Sequence, residues 1–136
     1  MKETDEIMQM IKEYGTEFFS KEKKYKIDIG IYLEELAEKK GMNKKELVRK
    51  LNLDESYGRK LFGGQRMPTR KILLQCAFIL SLNLSETQRL LEIGRKACLY
   101  PRVRRDAAII YAIDKKMSLE QANAFLEEVG EEPLEI

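Results

Sequence analysis

The stretch that decides the fold is NKKELVRKLNLDESYGRKLFGGQR, residues 43–66. Asn43 stands three residues before Glu46, the spacing of a capping box, in which an amide oxygen and a carboxylate satisfy free backbone N–H groups reciprocally. Leu47, Val48 and Leu51 give the short helix that follows an apolar face. Asn52-Leu53-Asp54 reads as a tight turn, and Asp54 is placed to cap a second helix from Glu55 to about Phe62, which Gly63-Gly64 ends. Two short helices around a tight turn meet the mechanical requirement of a helix-turn-helix: the first lies across the DNA backbone and the second is set into the major groove. Leu47, Val48, Leu51, Leu53 and Leu61 hold the pair together, which leaves Lys44, Lys45, Glu55, Ser56, Arg59 and Lys60 to face outward. Lys44 and Lys45 fall at a helix N-terminus, where backbone N–H groups and ammonium groups both favour phosphate.

Charge distribution points the same way. The 136-residue chain carries a net charge of only +2. Residues 43–66, however, hold Lys44, Lys45, Arg49, Lys50, Arg59, Lys60 and Arg66 against Glu46, Asp54 and Glu55, a local +4. Positive charge gathered in one place attracts a polyanion even when the total is near neutral.

Outward from this stretch the chain reads as all-α, with 43% hydrophobic and 35% charged residues and no recognisable strand. Ile7, Met8, Ile11, Tyr14 and Phe18 recur at spacings of three and four, so residues 4–19 are expected to form an amphipathic helix, followed by a charged linker over 21–26. A helix over roughly 28–40 turns Leu33, Leu36 and Ala37 inward and stops at Gly41. Pro68-Thr69 opens another, with Ile72, Leu73, Cys76, Ala77 and Leu80 on one side. Ser85 with Gln88 reads as a capping box for a helix that carries Leu90, Leu91 and Ile93 and stops at Gly94. After Tyr100-Pro101 comes a helix with Val103, Ala107, Ile110, Tyr111 and Ile113 inward. Ser118 with Gln121 caps the last, whose inward residues are Leu119, Ala122, Phe125, Leu126 and Val129, and Gly130 and Pro133 end it.

The residues quoted above, followed by Met67-Pro68, resemble the lambda-repressor-like (Xre-type) helix-turn-helix family, and the Gly-Gln-Arg-x-Pro ending at residues 64–68 is a familiar part of that pattern. The resemblance covers about residues 30–94. Leu99-Tyr100-Pro101, the basic run that follows to Asp106, the Ser118-Leu119-Glu120 start and the Gly130–Leu134 end are similar to a narrower bacterial group with a two-helix C-terminal extension. The resemblance implies an N-terminal helix and linker over 1–27, a five-helix DNA-binding domain over 28–94 and an extension over 95–136. By position it places Glu55, Ser56 and Lys60 at base edges with Arg59 nearby. It also places Lys44 at phosphate, with Gly63, Gln65 and Arg66 in the loop that touches phosphate. The chemistry agrees in part, since Lys or Arg reads guanine, Glu accepts from cytosine N4 and Ser is permissive. Gly58 departs from the family pattern, which usually sets an inward aliphatic residue there. A helix-interior glycine costs about 1 kcal/mol relative to alanine, and Phe62 or Leu36 is expected to fill the space.

The resemblance thus implies a sequence-specific double-stranded DNA-binding regulator, a repressor, acting as a homodimer on paired half-sites. Its rival is a non-enzymatic protein-interaction module, adaptor or antitoxin-like, that keeps the fold without reading DNA; Gly58 and the acidic segment 127–135 are its support. A protein partner would use the N-terminal helix or the C-terminal extension. Arg95, Lys96, Arg102, Arg104 and Arg105 admit three readings: ion pairs with Asp106 and the tail glutamates that close the fold, a second phosphate or anion contact, or an RNA site. The first is favoured, because fold-closing ion pairs are common.

Catalysis lacks its usual parts. There is no histidine, the usual near-neutral acid–base group and commonest metal ligand. Two cysteines, Cys76 and Cys98, cannot build a four-ligand zinc site. Both are expected to be small buried hydrophobes in a reducing cytoplasm. Gly63-Gly64 lacks the Gly-Lys-Ser/Thr ending of a phosphate loop, and the paired glutamates at 127–128 and 131–132 read as solvated rather than cation-binding. No cofactor or metal is expected. Met1–Glu6 is polar and acidic, unlike a secretory signal, and no apolar run reaches membrane-spanning length, so a cytoplasmic location is expected and no membrane partner.

Overall fold

The computed structural model describes Glu6, Met8, Gln9 and residues 28–135. The three isolated residues are helical and exposed; the rest of the expected helix over 4–19, and the linker over 21–26, lie outside the described residues. Seven helices follow from residue 28: α1 (Ile29–Lys39), α2 (Lys44–Lys50), α3 (Glu55–Phe62), α4 (Arg70–Ile79), α5 (Leu84–Ile93), α6 (Arg104–Asp114) and α7 (Leu119–Glu128). Among the described residues there is no strand, and their regular structure is all helical.

All seven of these helices stop the same way. Gly41, Asn52, Gly64, Ser81, Arg95, Lys116 and Gly130 each take a left-handed backbone with φ between 54° and 80°. The next N–H then reaches back to a carbonyl of the last turn, as Met42 N–H does to Ala37 (2.9 Å) and Lys96 N–H to Leu91 (2.8 Å). This closure satisfies carbonyls that the helix leaves without partners. The expected stop of α5 stands, since the helix ends at Ile93 with Gly94 as its cap at φ −75° and Arg95 as the left-handed residue after it. A Cβ at Gly94 would lie 2.5 Å from Leu73 Cδ1, so the crowding there favours a glycine.

α4 is the central element. Leu73 through Phe78 are all buried, Gln75 included, as expected of a helix surrounded by its neighbours. α2, α5 and α7 pack on it, α1 packs on α2, α3 and α5, and α6 lies between α5 and α7. One continuous apolar core runs from Ile29 to Leu134, so α6 and α7 share it with the first five helices.

Three expectations are corrected. The α5 box is Asn83 with Glu86, two residues earlier than Ser85 with Gln88, and both of its bonds form. Gln88 is otherwise occupied, its amide accepting Leu99 N–H (2.7 Å) and donating to Leu99 C=O (2.9 Å). The inward face of α6 is Asp106, Ile109, Ala112 and Ile113, while Val103 and Tyr111 are exposed. Ile113 is buried as expected and Ala107 and Ile110 are half-buried, and the salt bridge from Arg70 accounts for the buried carboxylate of Asp106 beside them. Cys76 is buried, and burial pushes its thiol up to about 12, but Cys98 is exposed.

The tail closes the structure. Leu134 is fully buried. Asn123 Oδ1 accepts Leu134 N–H at 2.7 Å, and Gln75 Nε2 donates to Leu134 C=O at 2.8 Å. Arg104 donates to Val129 C=O and pairs with Glu131, and Arg105 donates to Glu132 C=O. For these two arginines the fold-closing reading holds, although they hold mostly backbone. Asp106 instead serves Arg70.

Candidate nucleic-acid interface

The α2–α3 unit is built by local capping. Asn43 Oδ1 accepts Glu46 N–H at 2.9 Å, but the return bond from the Glu46 carboxylate, which closes the boxes of α5 and α7, does not form, so only half of the expected box is present. Leu53 N–H bonds Val48 C=O across the turn, and Asp54 Oδ1 accepts Tyr57 N–H at 2.7 Å, starting α3 at Glu55. Leu47, Leu51 and Leu61 are buried between the helices, with Val48 and Leu53 partly so.

Gly58 faces inward, and its space is filled by a residue other than the two expected. A Cβ at 58 would stand 2.8 Å and 3.0 Å from the two γ-carbons of Val48, so the neighbour is Val48 rather than Phe62 or Leu36. The glycine lets α3 lie close against α2. A second close approach went unnoticed in the sequence: a Cβ at Gly30 would lie 2.7 Å from the carbonyl oxygens of Leu61 and Phe62, so the start of α1 abuts the end of α3. α3 is therefore seated on α2 at its middle and against α1 at its C-terminal end.

That seating settles which way α3 faces. Gly58 and Leu61 are buried and Tyr57 and Phe62 half-buried, while Glu55, Ser56, Arg59 and Lys60 are all exposed. Residues at i, i+1, i+4 and i+5 share one side of a helix, so the four expected base-reading residues lie together. Arg59 and Lys60 have no ion-pair partner among the described residues.

The loop after α3 is held from within. Gln65 and Arg66 both donate their N–H to Lys60 C=O, at 2.8 and 3.1 Å. Gly64 takes φ +80° beside the Asp28 carboxylate, where a side chain would be strained and would lie within 2.8 Å of Asp28 Oδ2. Gly63, Gln65 and Arg66 are exposed, as phosphate contacts need to be. Lys44 and Lys45 are exposed at the start of α2. The Lys44 ammonium lies 3.5 Å from Glu34 on α1, a pair half open to water that a phosphate can compete for. Arg49 and Lys50 occupy the last turn of α2, where cations complement the helix dipole.

An open cleft of about 280 Å³ lies elsewhere, lined by Arg70, Lys71, Leu74, Arg105, Glu132 and Pro133. Its cations are already engaged, Arg70 by Asp106, Lys71 by Glu135 and Arg105 by Glu132 C=O. Among the described residues no three Cys, Asp or Glu side chains group as a metal site, and no helix is long and apolar enough to cross a membrane.

Compared with protein-family models, curated proteins and solved structures, the chain gives no match.

Proposed function

We propose that this chain is a sequence-specific double-stranded DNA-binding regulator of transcription, a non-enzymatic cytoplasmic repressor with a lambda-repressor-like domain, acting as a homodimer. The observation that carries the reading is the exposed face of α3. Glu55, Ser56, Arg59 and Lys60 stand together on it, and its cations are unpaired among the described residues, while the opposite face is locked against α1 and α2. In this reading α3 lies in the major groove, α2 spans the backbone, and the Gly63–Arg66 loop grips phosphate.

Of the two supports of the rival interaction module, Gly58 is accommodated by Val48, and in the acidic segment 127–135 Glu131 and Glu135 are paired with Arg104 and Lys71. The test is a salt titration of binding to random and genomic duplex fragments, with the bound fragments sequenced. A DNA reader gives steep salt dependence and enrichment of a common site. Flat, negligible binding at every salt concentration sinks the reading and returns the chain to the interaction class.

A further inference from the structure

The five cations of residues 95–105 divide into two groups. Arg104 and Arg105 are spent on the tail. Arg95, Lys96 and Arg102 form no ion pair or side-chain hydrogen bond among the described residues. Between Glu92 and Asp114 the only acid is Asp106, and its carboxylate is occupied by the Arg70 guanidinium (3.0 Å) and by Tyr100 N–H (3.0 Å). The positive charge of this loop is left uncompensated by its own neighbours.

The loop is nevertheless held firmly. Arg70 donates Nε–H to Ala97 C=O and Nη2–H to Cys98 C=O, Gln88 grips both the N–H and the C=O of Leu99, and Lys96 N–H bonds Leu91 C=O. A segment without secondary structure that is fixed at successive backbone groups meets a partner with its ordering cost already met.

Its place in the fold is beside the other proposed phosphate contact. The start of α1 lies next to two loops. On one side Asp28 abuts Gly64 and Gly30 abuts Leu61 and Phe62, so the α3–α4 loop lies there. On the other side Gly94 packs against Ile29 and Leu73, and Arg70, one residue after the cap of α4, ties down residues 97 and 98. The basic loop and the proposed phosphate-gripping loop therefore both lie next to the start of α1. Tyr100, 55% exposed, adds a phenol that can donate to a phosphate oxygen.

We infer that the loop of residues 95–102 is a second phosphate-binding strip, in which Arg95, Lys96, Arg102 and Tyr100 extend the duplex footprint past the α3–α4 loop onto flanking, sequence-independent backbone. This rests on the reading of α3 as the groove-entering helix. The strip adds affinity and salt dependence without adding base preference.

The experiment compares the full chain with a triple variant, Arg95→Gln, Lys96→Gln and Arg102→Gln, on duplexes with long and short flanks. A control triple, Lys39→Gln, Lys115→Gln and Lys116→Gln, makes the same charge change at the C-terminal ends of α1 and α6. Circular dichroism and urea titration verify that all three proteins fold. On the long duplex the first triple variant is expected to flatten the slope of log K against log salt by about 2–3, near 0.9 for each lost phosphate contact. Preferred and random sequences should lose affinity equally, the short duplex should erase the difference, and the control should keep the parental slope. A parental slope for the first triple on the long duplex overturns the strip while leaving the α3 reading intact. If the parent binds no duplex at all, the α3 reading fails first. If the triple variant loses binding to RNA but not to duplex DNA, the strip serves another polymer and the inference is wrong.

Discussion

Gly58 on α3 lies directly against Val48 on α2, close enough that a Cβ at 58 would stand 2.8 Å from a valine methyl. By helix propensity alone Gly58→Ala should stabilise, by about 1 kcal/mol. The contact reverses the sign. Val48 is β-branched and stiff in a helix, so it cannot swing aside, and overpacking of this kind costs about 1–3 kcal/mol. Gly58→Ala is expected to lower the urea midpoint, and adding Val48→Ala should restore much of the loss in a double-mutant cycle. A Gly58→Ala variant more stable than the parent would show that the two helices are not in this register.

Asp106 and Arg70 tie the second half of the core to the first. The carboxylate side chain is 8% exposed and the guanidinium 27%. Removing one partner of a buried pair leaves the other without compensation, at a cost of about 3–5 kcal/mol; the partial exposure of Arg70 puts Asp106→Asn at the lower end. The loss should be local as well as global. Backbone amides of residues 97–100 are expected to exchange with solvent faster in Asp106→Asn than in the parent, because Arg70 and Asp106 together anchor that loop. Unchanged exchange would mean that the loop is held by Gln88 alone.

What was legible in the sequence is what acts locally. Asp54 and Ser118 each cap through an N–H three residues along, so spacing alone finds them. The outward row Glu55, Ser56, Arg59 and Lys60 follows from the apolar positions opposite it. Contacts between distant residues were not legible. Arg70 reaches Asp106 across 36 positions and Gln88 reaches Leu99 across 11, and no periodicity carries that information. The Arg70–Asp106 contact accounts for the carboxylate on the inner face of α6, whereas the α5 box has the same three-residue spacing as Ser85 with Gln88 and spacing alone does not choose between them. The roles of Gly30 and Gly58 were hidden for a related reason, since a glycine chosen for a close approach looks like one that merely weakens a helix.

The α5 capping box carries a pH signature. Glu86 accepts Asn83 N–H at 2.9 Å, and this bond, aided by Lys40 at 3.2 Å, holds its carboxyl below the ordinary value of 4.5 against the opposing effect of partial burial. A carboxyl lowered in the folded state stabilises the fold above its unfolded value and loses that contribution as pH falls through the folded one. Glu86→Gln should therefore be less stable than the parent at pH 6, with the gap narrowing as pH drops below about 4.5. A side-chain carboxyl titration by NMR should place the Glu86 midpoint below that of an unperturbed glutamate. A midpoint above it would contradict the box.

Lys60 and Lys44 separate reading from gripping. Lys60 stands unpaired among the described residues on the exposed face of α3, so Lys60→Ala is expected to relax sequence preference, reducing discrimination at one base pair by about 1–3 kcal/mol. Lys44 should instead act on every duplex alike, with Lys44→Ala flattening the salt slope by about 1. The Glu34 carboxylate 3.5 Å from Lys44 supplies a sharper check. If a phosphate takes over that ammonium on binding, Glu34→Gln frees the lysine and removes a repelling charge, so affinity should rise equally on preferred and random duplexes. Should Lys60→Ala and Lys44→Ala both bind every duplex as the parent does, neither α3 nor the start of α2 faces DNA, whatever else the protein binds.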